Sequence, residues 1–162
     1  MVDAASLRER ALAALEAVTD PEIPVLTIAD LGILRGVSVH DDVVEVTITP
    51  TYSGCPAMNM ITLEIETALA RAGIAARIRT SLSPAWTTDW LTDAARSKLA
   101  AFGIAPPERT ASRRALFGEA RPVCPLCGSA DTEQISEFGS TACKSLHRCR
   151  ACREPFDAFK CH

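Results

Sequence analysis

The chain has 162 residues, 17 Lys plus Arg against 20 Asp plus Glu, and 48% hydrophobic residues, of which few are aromatic (5% of the chain). That length holds one ordinary domain, or one compact domain with a small appendage. A formal charge of -3 argues against a strongly basic nucleic-acid binder and against a disordered acidic chain, and no apolar run approaches the ~18–20 residues that span a bilayer.

The N-terminal stretch contains Arg8, Glu9, Arg10 and Glu16, which interrupt any signal-peptide core, so the chain reads as cytoplasmic. Ser6 is placed to cap a helix whose apolar positions Leu7, Ala11, Leu15 and Val18 recur at helical spacing. Asp20-Pro21-Glu22-Ile23-Pro24 ends it, since each proline turns the preceding residue away from helical geometry. A strand is expected from about Ile33 to Val39. A second carries Val44, Val46 and Ile48 in alternation with polar residues, with His40-Asp41-Asp42 as the hairpin turn. Met58, Ile61, Ile65, Leu69 and Ala72 form one helical stripe from Pro56 to Gly73. Ile74 to Leu82 reads as a third strand, and Thr88 or Asp89 to Phe102 as a final helix before Gly103. Trp86 and Trp90 flank its start, either packed inward or exposed as a partner contact.

This αββαβα order, with a helix joining the second and third strands, predicts an α+β fold for residues 1–103, a small two-layer α/β sandwich. Residues 104–121, with Pro106-Pro107, Arg109, Arg113 and Arg114, read as a linker or docking arm. Residues 122–162 form a cysteine-rich tail that reads as a zinc-ribbon-like metal-binding domain.

The chain has seven Cys, and Cys55 stands apart from the rest. In a reducing compartment they are metal ligands or functional thiols rather than a disulfide framework. Pro56 suits the first helical position, which places Cys55 at, or just before, the helix N-cap, where free amides and the helix dipole favour thiolate unless Asp20, Glu22 and Asp30 fold nearby and oppose it. The alternative is a small residue buried at a tight turn. No histidine offers an evident base for covalent catalysis.

In the tail, Cys124-Pro125-Leu126-Cys127 and Cys149-Arg150-Ala151-Cys152 form two Cys-x-x-Cys knuckles. A hairpin between them brings four thiolates to one tetrahedral ion. Zinc is the first expectation; a rubredoxin-like iron or an iron–sulfur cluster uses the same donors. So short a segment draws much of its folding free energy from the metal. Cys143 lies roughly 20 Å from the second knuckle if the intervening residues are extended. Together with Cys161 and His162 it forms either a second metal site or redox pair near the turn at Gly139, or unrelated packing. His147 is surplus if four thiolates already bind.

Asp20-Pro21-Glu22-Ile23-Pro24, Asp30-Leu31-Gly32, the Cys55 loop and Ser83-Pro84-Ala85-Trp86-Thr87-Thr88-Asp89-Trp90 occur in that order and resemble the MIP18-like (DUF59) family of iron–sulfur assembly domains. With a cysteine-rich tail ending Phe156-Asp157-Ala158-Phe159-Lys160-Cys161-His162, the chain resembles the branch that accompanies the bacterial phenylacetyl-CoA ring-1,2-epoxidase of aerobic phenylacetate breakdown. The resemblance implies a non-catalytic maturation role. Its partners would be the oxygenase and reductase subunits of that complex and the iron–sulfur assembly machinery, with no nucleic acid or membrane; a homodimer is compatible with it. It also implies that Cys55, with Asp20 and Glu22, handles iron or an iron–sulfur unit transiently. Tyr52-Ser53-Gly54 departs from the commoner family loop, which leaves open whether Cys55 holds a cluster, passes iron or only contacts a client. An iron-containing electron-transfer component and a structural adaptor of the same complex are the competing functions.

Overall fold

The computed structural model describes residues 3–109 and 121–160. They form a mixed α+β structure with two sheets, and chain contacts divide it into two compact units, Met1–Trp86 and Thr87–His162.

In the first unit, α1 spans Ala4–Leu15 and buries Leu7, Ala11 and Leu15. Ser6 does not cap it. Asp3, in extended geometry, is the N-cap, and its carbonyl accepts from the Leu7 amide at 2.9 Å. The helix also stops before Val18, because the chain there is committed to pairing across the following loop. Ile28 donates to the Val18 carbonyl and Asp20 to that of Leu26, around an isolated Thr19–Thr27 bridge.

Strands β1 (Leu34–His40) and β2 (Val43–Ile48) form the expected hairpin. Its two-residue turn puts Asp41 at φ 49 and Asp42 at φ 61, the left-handed pair that matches the twist of the strands. Helix α2 (Ala57–Arg71) buries Ala57, Ile61, Ile65 and Leu69 and carries the chain to β3 (Ala76–Thr80), which pairs parallel to β2. The sheet order is β1-β2-β3. The central strand turns Val44, Val46 and Ile48, each 0% exposed, toward the core. Helix α1 packs on β1 and on α2, and α2 on β3, giving the two-layer arrangement.

The segment between α1 and β1 has little regular structure, yet Ile23, Leu26, Ile28, Leu31 and Ile33 are all buried there. It is core rather than surface loop. Trp86 is buried as well, and its indole Nε1 donates to the Leu31 carbonyl at 2.8 Å, satisfying the one polar atom of the ring.

The second unit begins with a short 3-10 turn, Thr88–Trp90, and α3, Asp93–Ala101. The single helix expected from Thr88 to Phe102 is interrupted because the Thr92 hydroxyl accepts from the Ala95 amide at 3.0 Å and starts a new helix. Strands β4 (Ile104–Ala105), β5 (Thr132–Ser136), β6 (Lys144–Cys149) and β7 (Pro155–Phe159) form a sheet of order β4-β7-β6-β5. Ile104 and Ala105, expected to open a linker, pair instead with Asp157 and Ala158 of β7, and α3 packs on the strand they form. The expected boundary at residue 103 follows composition, whereas the contact boundary falls between Trp86 and Thr87. Arg113 and Arg114 lie outside the described residues.

The hairpin turn supplies a test of its own geometry. Replacing Asp42 by glycine removes a side chain from a left-handed backbone that tolerates it poorly, offset in part by the freer unfolded chain. Asp42→Gly is therefore expected to stabilise the first unit by about 0.5–1 kcal/mol; a lowered thermal midpoint would contradict this reading of the turn.

Candidate functional site: a lone thiol and a four-sulfur centre

Topology gathers four separated segments at one end of the first sheet. The chain enters β1 where it leaves β2, and the Thr49 amide donates to the Ile33 carbonyl at 2.9 Å. β3 ends beside the same edge, with the Ser81 amide on the Ile48 carbonyl at 2.8 Å. The Asp20 loop, the Asp30-Leu31-Gly32 turn, the Cys55 loop and the Trp86 segment therefore meet there.

Two of these segments are internally braced. The Asp20 side chain is buried, and its Oδ1 accepts from the amides of Glu22 at 2.7 Å and Ile23 at 2.9 Å, a local turn that holds the loop. Asp30 and Thr27 cap each other: Asp30 Oδ2 accepts from the Thr27 amide and Thr27 Oγ1 from the Asp30 amide. The Cys55 amide donates to the Tyr52 carbonyl at 3.1 Å, and its own carbonyl accepts from the Met58 amide at 3.3 Å. Pro56 occupies the N-cap rather than the first helical position, so Cys55 lies one residue before the cap.

Its thiol is half-buried, and burial pushes its pKa above the usual thiol value. Hydrogen bonds from the Ala57 amide and from Thr51 work the other way, and the charges of Glu22 and Asp20 add to the rise. The helix start does supply an amide to the sulfur, but desolvation outweighs it. The thiolate-favouring environment expected from the helix N-terminus is thus corrected to a protonated thiol near neutral pH. Sequence reasoning misses Thr51; its position four residues before Cys55, within the strand-to-helix loop, is the available signal.

In the second unit the two knuckles converge. Four thiolates at about 2.3 Å from one zinc stand about 3.8 Å apart. The Cys124 and Cys152 sulfurs are 3.8 Å apart, those of Cys127 and Cys149 are 3.5 Å apart, and all four lie within 4.8 Å of one another. The donor set and its spacing fit a single tetrahedral zinc. Knuckle backbones hold it in place: the Gly128 amide donates to the Cys124 carbonyl, Cys124 to Ser129, and Cys149 to Glu154.

Sulfurs this close titrate together. An amide hydrogen bond from Cys152, foremost among several, lowers Cys149 to about 6. The Cys152 sulfur accepts from the Glu154 amide, yet desolvation and the neighbouring Cys149, Cys127 and Cys124 sulfurs push it up to about 12. A divalent cation relieves that mutual repulsion.

The ribbon's other candidates are dispersed. His147 is buried, its Nε2 2.8 Å from Ser145 Oγ and its ring stacked on Phe156, with centroids 5.7 Å apart. It stands outside the four-sulfur group. Cys143 is buried before the other end of β6, its sulfur 3.1 Å from Thr141 Oγ1. Cys161 and His162, its expected companions, lie outside the described residues.

The Cys55 environment yields a measurable expectation. Glu22→Gln removes one of the charges that raise the thiol pKa, so the pH profile of iodoacetamide labelling at Cys55, followed by peptide mass spectrometry, should move toward lower pH. Burial remains the larger cause, so the shift should be partial. No shift would separate Glu22 from this site.

Residues 8–77 match the family described as Iron-sulfur cluster assembly protein, and residues 108–160 that of the PaaD zinc beta ribbon domain. A putative 1,2-phenylacetyl-CoA epoxidase subunit from Escherichia coli (strain K12) is 49% identical over 150 residues, covering 92% of this chain and 90% of that protein. An Fe-S protein maturation auxiliary factor from Bacillus subtilis (strain 168) is 34% identical over 87 residues, 52% of this chain and 84% of the relative. The crystal structure of a domain of unknown function, DUF59, from Bacillus anthracis is similar in fold, with a TM-score of 0.54 at 24% identity, covering 59% of this chain and 92% of that one. No helix among the described residues is long and apolar enough to cross a membrane. An iron–sulfur assembly domain followed by a zinc ribbon, similar across nearly its whole length to one such protein, places the chain in the PaaD family of 1,2-phenylacetyl-CoA epoxidase subunits.

Proposed function

We propose that this chain is a non-catalytic maturation factor for the phenylacetyl-CoA ring-1,2-epoxidase complex, assisting delivery of iron or an iron–sulfur unit to an oxygenase or reductase subunit. Cys55, with Asp20 and Glu22, receives the cargo; Cys124, Cys127, Cys149 and Cys152 hold zinc permanently. The supporting observation is the contrast between the two sulfur environments. One is a single half-buried thiol whose proton affinity the charges of two carboxylates help to raise; the other is a closed set of four sulfurs within 4.8 Å.

Chemistry follows from that contrast. Four thiolates fill the coordination sphere of zinc and leave no position for exchange. One thiol supplies a soft donor, and neighbouring carboxylates supply hard ones and negative charge that attracts a cation. A thiol whose pKa is raised is protonated at rest, so an arriving metal must displace a proton. Cargo is then held more tightly as pH rises and released more readily as it falls, which suits a relay rather than a store. The ribbon contributes client recognition.

Cys55→Ala is expected to keep fold and zinc stoichiometry while lowering the iron or cluster content of the co-produced oxygenase and reductase subunits. Normal client loading in that variant would sink the proposal. Conversely, Cys149→Ser is expected to lose the bound zinc and melt the ribbon at lower temperature; zinc still bound one-to-one would remove Cys149 from the ligand set. A coloured parent protein that bleaches reversibly on reduction would instead favour electron transfer, since zinc is colourless and redox-silent.

A further inference from the structure

The two knuckles are built alike but close differently. Gly128 follows Cys127 at φ 77, whereas Arg153 follows Cys152 at φ 67. Left-handed backbone suits glycine and strains a long side chain. A residue held against its backbone preference points to a use for its side chain.

That side chain is exposed, and among the described residues it makes no hydrogen bond or ion pair. With Arg148, Cys149 and Arg150 it lines a cleft of about 340 Å³. The other two arginines are fixed in place by Glu133 on β5. Its Oε1 accepts from Nε of Arg148 at 2.9 Å and from Nη2 of the same fork, and its Oε2 from Nη2 of Arg150 at 3.0 Å and Nε at 3.3 Å. Asp131 lies 3.8 Å from Arg150 Nη1. One guanidinium of the cleft is therefore left without an anion among the described residues, beside two that are already aligned.

We propose that this cleft docks an acidic segment of a partner protein, with carboxylates received by Arg153 and by the N–H groups of Arg148 that Glu133 does not engage. Guanidinium forks match carboxylates in shape and charge, and pre-alignment by Glu133 lowers the ordering cost on binding. A nucleic acid is a poorer fit, because phosphates need an extended basic track. Here the arginines converge on one compact cleft instead of forming such a track. The partner's identity as a subunit of the epoxidase rests on the maturation role proposed above; the cleft's chemistry does not.

The test uses the full-length, zinc-loaded protein and dye-labelled hexaglutamate, with binding read by fluorescence anisotropy at low ionic strength. Arg153→Gly and Arg153→Asn, both suited to the left-handed backbone, should weaken binding at least fivefold while zinc stoichiometry is kept and the thermal midpoint holds or rises. The proposal is overturned if the parent protein does not bind the peptide, or if the variants bind it equally well. It is also overturned if both variants lose zinc, which would make Arg153 a counter-charge to the sulfur centre, or if a single-stranded oligonucleotide of equal charge binds more tightly than the peptide. A second arm captures co-produced oxygenase and reductase subunits. Peptide binding without capture of either subunit by the parent protein counts against the maturation role and leaves the cleft standing. Equal capture by parent and Arg153→Gly counts against the cleft alone.

Discussion

Sulfur at the centre of the ribbon in the second unit is both its metal site and part of its interior. Cys124 and Cys149 are buried with Ala105, Phe156 and Ala158, and Cys152 packs against them. A core of that size buries too little apolar surface to offset the conformational entropy of the segment around it. Zinc on four thiolates, worth roughly 10–16 kcal/mol in comparable small domains near neutral pH, makes up the difference.

The first unit has no such dependence. Its interior is aliphatic, drawn from α1, β2, α2 and the irregular segment that runs from Asp20 to Ile33. That segment is anchored through hydrogen bonds to its own backbone and by Trp86, whose indole reaches the Leu31 carbonyl. The consequence is a rim of hydrogen-bonded backbone beside the thiol. In the maturation role proposed above, such a rim would place carboxylates before a cation arrives.

Much of the fold is legible in the chain. Alternation in β2, the stripe of α2 and the two-residue turn at Asp41-Asp42 are local patterns, and local patterns fix local structure. The paired knuckles define the four-sulfur centre for the same reason: each pair is contiguous, and a metal leaves few ways to combine two pairs. Expectations fail where distant contacts settle a competition between local signals. Ser6 is a good cap residue, yet the helix already starts at Ala4 and Asp3 takes the role. Thr92 restarts a helix that periodicity alone would carry through. Ile104 and Ala105 look like the start of a linker until β7 is available to pair with them.

Most element types of the first unit, the contrast between the isolated Cys55 and the two Cys-x-x-Cys pairs, and the family can be read from residue order. The charge state of Cys55 cannot, because desolvation and the carboxylates of residues more than thirty positions away outweigh the adjacent helix start. Nor does residue order reveal that Glu133 stands between Arg148 and Arg150 and leaves Arg153 facing the same cleft. Local patterns follow from backbone geometry, which each residue carries with it; proton affinity and charge pairing depend on what folding brings within a few ångströms.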